Sequence, residues 1–117
     1  MTNNYITGSL AYGKLYRNPE KSDVDLVIYA DTETIKTLIE NSDFLYTLRF
    51  GKLNLIPFNT DDPEDMERSK LWRKSHEALL SNPPKTKEDA IREFRLSGAE
   101  KSYYIDTFRE KHMRRKE

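Results

Sequence analysis

The chain contains no cysteine, which excludes a disulfide framework, a thiolate zinc site and a cysteine nucleophile. It holds only two histidines, His76 and His112. A multi-histidine metal centre and a His pair at helical i, i+4 spacing are thereby excluded as well. Long apolar runs are missing: the longest, Leu26-Val27-Ile28-Tyr29-Ala30, falls far short of the roughly 20 residues a bilayer-spanning helix needs. Neither sign of charge is in excess, with 20 Lys+Arg against 20 Asp+Glu in 117 residues. No whole-molecule field therefore draws nucleic acid or an acidic membrane, and such binding needs a local patch. The opening Met1-Thr2-Asn3-Asn4 lacks the basic and apolar regions of a secretory leader, so a soluble cytoplasmic protein with no membrane partner is expected. Chemistry has to rest on carboxylates, hydroxyls, Lys and Arg, or bound metal ions.

What is present is a small ionic domain with aromatic ballast. Hydrophobic residues make up 36% and charged residues 34%, and 7 Tyr, 5 Phe and 1 Trp supply the area to bury. That is one modest core, hence one domain over residues 1–117. A first strand is expected at 5–7, ending on Gly8-Ser9, then a helical turn or short helix over 10–16 and a polar loop over 17–22. Residues 23–30 alternate acid or apolar with apolar at period two, the mark of a strand. A helix over 32–40 places Ile35, Leu38 and Ile39 on one side, capped by Asp31 or Thr32. The runs 44–50 and 53–58, joined by Gly51-Lys52, read as a hairpin. Asp62-Pro63 starts a helix to about residue 80, stopped by Asn82-Pro83-Pro84. One last helix over 87–114 would carry Ile91, Phe94, Ile105 and Phe108 on a single face, with Ser97 and Gly98 weakening its middle. The expected class is α+β, a small mixed sheet with flanking helices over 5–58 and two C-terminal helices over 63–114.

The informative stretch is Gly8-Ser9-Leu10-Ala11-Tyr12-Gly13, followed by Ser22-Asp23-Val24-Asp25-Leu26. A Gly-Ser pair leaving a strand and opening a helix lets backbone N–H groups and a hydroxyl approach an anion closely. Two carboxylates two apart on a strand project from the same side, roughly 7 Å apart along the backbone. Their oxygens suit hard cations such as Mg²⁺, which bind phosphates as well. A phosphate cradle beside a carboxylate pair is equipment for phosphoryl or nucleotidyl transfer.

This two-part pattern resembles the nucleotidyltransferase superfamily related to DNA polymerase β, and most of all its minimal, antitoxin-type members. Gly8, Ser9, Ala11, Gly13, Ser22, Asp23, Asp25 and Leu26 match the pattern Gly-Ser-x-Ala-x-Gly then Ser-Asp-x-Asp-Leu. The resemblance implies that Asp23 and Asp25 hold Mg²⁺ (or Mn²⁺), while Gly8, Ser9, Lys14 and Ser22 bind the phosphates of an NTP, ATP first. It also implies transfer of a nucleoside monophosphate to a hydroxyl of a protein or RNA acceptor.

Two positions depart from the family. Tyr12 stands where members often carry Arg, leaving Lys14, Arg17 or Lys21 to supply a cation. The third acid, expected on the strand around Leu53-Asn54-Leu55-Ile56, is Asn54. Asn offers a carbonyl oxygen but neither charge nor basicity, and losing a general base costs on the order of 10²–10⁴ in rate. Two alternatives stay open: a catalytically degenerate nucleotide- or protein-binding module, and nucleic-acid binding through the basic tail. That tail carries Arg109, Lys111, Arg114, Arg115 and Lys116 against Glu110 and Glu117. Elsewhere the structural reading prevails. Asp61, Asp62, Glu64, Asp65 and Glu67 complement a helix N-terminus, with Asp61 or Asp62 as a surrogate third acid. Trp72 and His76 pack on the sheet, and Tyr103 and Tyr104 are core or rim aromatics.

Overall fold

The computed structural model describes residues 4–18, 20, 23–43, 48–98 and 104–113. The alternating segment lies at the centre of a four-stranded sheet built from β1 (Tyr5–Thr7), β2 (Val24–Ala30), β3 (Leu48–Phe50) and β4 (Leu53–Asn59), in the order β1-β2-β4-β3. β1 runs antiparallel to β2, β2 parallel to β4, and β3 antiparallel to β4. The helices are α1 (Ser9–Tyr12), α2 (Thr32–Glu40), α3 (Pro63–Ser81), α4 (Lys87–Ser97) and α5 (Tyr104–His112). The chain is therefore mixed α+β, as its pattern of elements implies.

Because side chains alternate across a strand, the sheet has two apolar faces. Val27, Ile56 and Phe58 join Tyr12, Trp72, Leu79, Ala90 and Phe94 beneath α1, α3 and α4. On the other face Leu48 joins Ile35 and Ile39 of α2 and Ile105 and Phe108 of α5. The caps of α2 and α3 are among those the sequence signals, and Thr86 adds one for α4. Asp31 accepts from the Thr34 N–H at 2.8 Å. Asp62 accepts from the Glu64 N–H at 3.0 Å, with Pro63 opening the helix, and Thr86 accepts from the Asp89 N–H at 3.1 Å.

Several boundaries differ from expectation. The helical turn or short helix expected over 10–16 is a single turn, Ser9–Tyr12, and the strand expected from residue 23 begins at Val24. The largest difference is the last helix, which is two. α4 ends at Gly98, whose φ of 79° places it in the left-handed region while its N–H closes onto the Arg95 carbonyl. A helix cannot continue through that conformation, and Gly adopts it without a Cβ clash. Phe94 accordingly packs with Trp72 on one face of the sheet, whereas Ile105 and Phe108 pack on the other. The single stripe does not exist. The expectations for Lys21, Ser22, residues 44–47, Tyr103, the Tyr104 side chain and residues 114–117 lie outside the described residues. Among the described residues, no helix is long and apolar enough to cross a membrane.

Candidate functional site

The strand register assembles a polar row across all four strands. Thr7 is paired with Asp25, Asp25 with Asn54, and Asn54 with Arg49. All four are in phase with Val27 and Ile56, so they share the face covered by α1, α3 and α4. The row sits where β2 and β4 begin and β1 ends, and a cleft of about 580 Å³ opens above it. Thr7, Gly8, Ser9, Asp23, Asp25 and Asn54 line one side. Tyr12, Ile56, Trp72, Ile91 and Phe94 form an apolar side, and Arg17 and Lys87 add cationic groups. Lys14 is an exposed turn residue and is not among the cleft residues.

Gly8 is held in place by the acid it faces. Its φ of 72° lies in the left-handed region, and a Cβ there would run into Oδ2 of Asp25. No other residue satisfies both demands. The Gly8 carbonyl accepts from the Ala11 and Tyr12 N–H groups at 3.0 and 3.1 Å, which turns the chain into α1. With four residues in α1, an anion at Ser9 depends on direct N–H and hydroxyl contacts far more than on a helix dipole.

Asp25 Oδ1 accepts from Asn54 Nδ2 at 3.0 Å. An ionised carboxylate only accepts, so the Asn54 amide nitrogen must face it and the amide oxygen must face elsewhere. Asn54 is 8% exposed, and its Oδ1 has no hydrogen-bond partner among the described residues. An orphaned, buried acceptor is costly unless something outside the chain satisfies it. Asp23 stands just ahead of β2, its Oδ2 2.6 Å from an Arg49 guanidinium nitrogen. Arg49 is braced in turn, its Nε donating to the Gly51 carbonyl at 3.0 Å.

Two carboxylates beside an unsatisfied amide oxygen form an all-oxygen donor set. That set fits one hard divalent cation completed by water or phosphate oxygens. Among the described residues no group of three or more carboxylate or imidazole ligands occurs. Nor do Asp61 and Asp62 serve as surrogates. Asp61 accepts from the Thr32 N–H at 2.9 Å, and Asp62 caps α3 and meets Lys111 at 3.4 Å. Both lie at the far end of the parallel strands.

The apolar side explains the departure at Tyr12. That ring is buried against Phe94 and His76. Burial pushes its phenol up, the Tyr16 and Asp25 charges push further, and a hydrogen bond with Thr7 offsets part of the rise. Tyr12 thus stays neutral and cannot replace a phosphate-binding cation. His76 is buried with Nδ1 2.9 Å from the Thr7 hydroxyl. Burial first, and the Arg73 charge next, hold its pKa below the ordinary value, so it braces Thr7 as a neutral ring. Trp72 is 6% exposed with its centroid 4.4 Å from that of Phe94, and its indole Nε1 has no partner among the described residues.

Thr7, Arg49 and Lys87 of the site escaped the sequence reading. Arg49 had a usable signal, because a two-residue turn at Gly51-Lys52 puts Arg49 opposite Asn54. Lys87 had none, since only the packing of α4 against α3 brings it to the cleft. No family model, curated protein or solved structure matches the chain.

Proposed function

We propose that the chain is a nucleotidyltransferase-type protein that binds an NTP, ATP first, and transfers its nucleoside monophosphate to a hydroxyl of a protein or RNA acceptor. The observation that carries this reading is the convergence on one cleft of Gly8, Ser9, Asp23, Asp25 and Asn54. They come from the turn into α1, the residue ahead of β2, and the two parallel strands β2 and β4. Ser9 offers a hydroxyl and an N–H to the phosphates, and Arg17 and Lys87 meet the remaining triphosphate charge. The apolar side accommodates a base. Asp23, Asp25 and the Asn54 carbonyl supply the oxygens for Mg²⁺ or Mn²⁺. When bound, that ion would neutralise phosphate charge and acidify the acceptor hydroxyl.

In the transfer, the acceptor oxygen bonds to the α-phosphorus and the bond to the β-phosphate oxygen breaks. Pyrophosphate departs, and the acceptor proton goes to a cleft carboxylate and then to water. Asn54 cannot take that proton. An NTP substrate places the work in the cytoplasm.

The test is incubation with each α-labelled NTP and Mg²⁺ or Mn²⁺, alone and in host lysate. Label transfer with pyrophosphate release is expected, reduced at least about 100-fold in Asp25→Asn. NTP binding without transfer would instead establish the second reading, a catalytically degenerate binding module. That reading is favoured by a specific observation: both carboxylates are already engaged, Asp25 by the Asn54 amide and Asp23 by Arg49.

A further inference from the structure

Arg49 is the one charged member of the polar row that the nucleotidyltransferase reading leaves without a role. It is not a loosely placed surface cation. Its Nε is anchored on the Gly51 carbonyl at 3.0 Å within the β3–β4 turn, and its other end meets Asp23 Oδ2 at 2.6 Å. Register places it beside Asn54, which in turn stands beside Asp25. The charges therefore run in a fixed order across the sheet: carboxylate, neutral amide, guanidinium, with the second carboxylate closed onto the guanidinium. Two carboxylates and one guanidinium leave a net single negative charge. Two divalent cations would bring four positive charges to that site, whereas one ion would bring two. Asn54 Oδ1, on a residue 8% exposed, is a buried oxygen of the row with no partner among the described residues.

We propose that the Arg49 guanidinium occupies the place of a second metal ion, so that the site binds a single divalent cation centred on Asp25 and Asn54. Arg49 offsets the charge of Asp23, and the bound ion offsets that of Asp25. This inference rests on the reading of Asp23 and Asp25 as a cation site, but it concerns how many ions that site accepts. It gives Asn54 a positive role: a neutral oxygen ligand helps hold the one ion without adding charge to the row. Arg49 is a positioning residue that sets the electrostatics of the ligands.

The experiment measures binding of Mn²⁺ alone to the full chain by calorimetry and by the loss of the free-ion paramagnetic signal. The wild-type protein is expected to bind one ion, with binding lost in Asp25→Asn. Arg49→Gln should tighten Mn²⁺ about tenfold, because it removes a like charge close to the ligands, and should add a second ion. Arg49→Lys, which keeps the charge, should bind one ion as the wild type does. Asn54→Asp keeps Arg49 and so tests the idea even if Arg49→Gln fails to fold: its affinity should rise while its stoichiometry stays at one. Unchanged Mn²⁺ affinity and stoichiometry in folded Arg49→Gln, or two ions in Asn54→Asp, would overturn the proposal. NTP binding and label transfer on the same samples separate the two readings. A gained second ion in Arg49→Gln without any NTP binding sinks the transferase reading and leaves Arg49 its role. NTP transfer with Mn²⁺ binding indifferent to Arg49 does the reverse.

Discussion

The two ends of β4 both gather carboxylates, and they use them differently. At the end where β2 and β4 finish, Asp61 accepts from the Thr32 N–H, Asp62 from the Glu64 N–H and Asp65 from the Asn59 N–H. Asp31, at the start of the neighbouring α2, accepts from the Thr34 N–H. At the end where β2 and β4 begin, the partners of Asp23 and Asp25 among the described residues are side chains, Arg49 and Asn54. A carboxylate that satisfies a backbone donor is part of the fold, since removing it leaves that donor without a partner. A carboxylate held by side chains can exchange them for a ligand. The same residue type therefore closes turns at one end and lines a cleft at the other.

Substitutions sharpen this contrast in order of size. Asp65→Ala is expected to cost the most stability, about 3 kcal/mol in urea unfolding, because it leaves the buried Asn59 N–H without its acceptor and removes the ion pair with Arg68. A loss under about 1 kcal/mol would make that acid incidental to the fold. Asp62→Ala should cost about 1 kcal/mol through the lost cap. It should also reduce the acid sensitivity of the protein. Burial alone would raise the Asp62 carboxyl, but the Lys111 charge and the N–H groups of Glu64 and Asp65 outweigh it and hold it below its ordinary value. The Thr34 hydroxyl and N–H do the same for Asp31. A depressed folded pKa means stability that is present above the unfolded value, near pH 4, and lost as pH falls through the folded value. The urea midpoint should therefore drop between pH 5 and pH 3, on the order of these carboxylate values, and less so in Asp62→Ala. The smallest effect belongs to Asp25→Asn, whose stability should stay within about 0.5 kcal/mol of wild type while the proposed NTP transfer falls at least about 100-fold. A large destabilisation there would erase the distinction between the two ends.

Much of the fold was legible wherever the signals are local. α2 lies over the residues its apolar spacing and Asp31 cap indicate, and Asp62-Pro63 opens α3. The joint at Gly51-Lys52 turns β3 into β4, and so puts Asn54 beside Asp25 as the motif spacing implies. The break of the last helix was legible only as a weakness at Ser97-Gly98. Whether such a glycine is tolerated inside a helix or ends it depends on where the flanking faces pack, and here Phe94 and Ile105 pack on opposite sides of the sheet. Of the site, Gly8, Ser9, Asp23, Asp25 and Asn54 were visible from type and spacing, whereas the choice of Arg17 over Lys14 as a cleft cation was not. Two basic residues three apart in one loop look alike until the loop is folded against α4.

The sequence by itself determined the element types, the caps, the absence of thiol and multi-histidine chemistry, and the five motif positions, because periodicity, capping and spacing act within a few residues. Only the tertiary structure decided what those positions face. The Asn54 oxygen is left without a partner, Asp23 is closed onto Arg49, and Tyr12 is a neutral core ring where a cation was wanted. Those outcomes depend on strand register and helix packing, which bring together residues tens of positions apart, and on burial, which determines whether a polar atom meets water, a neighbour or an empty cleft.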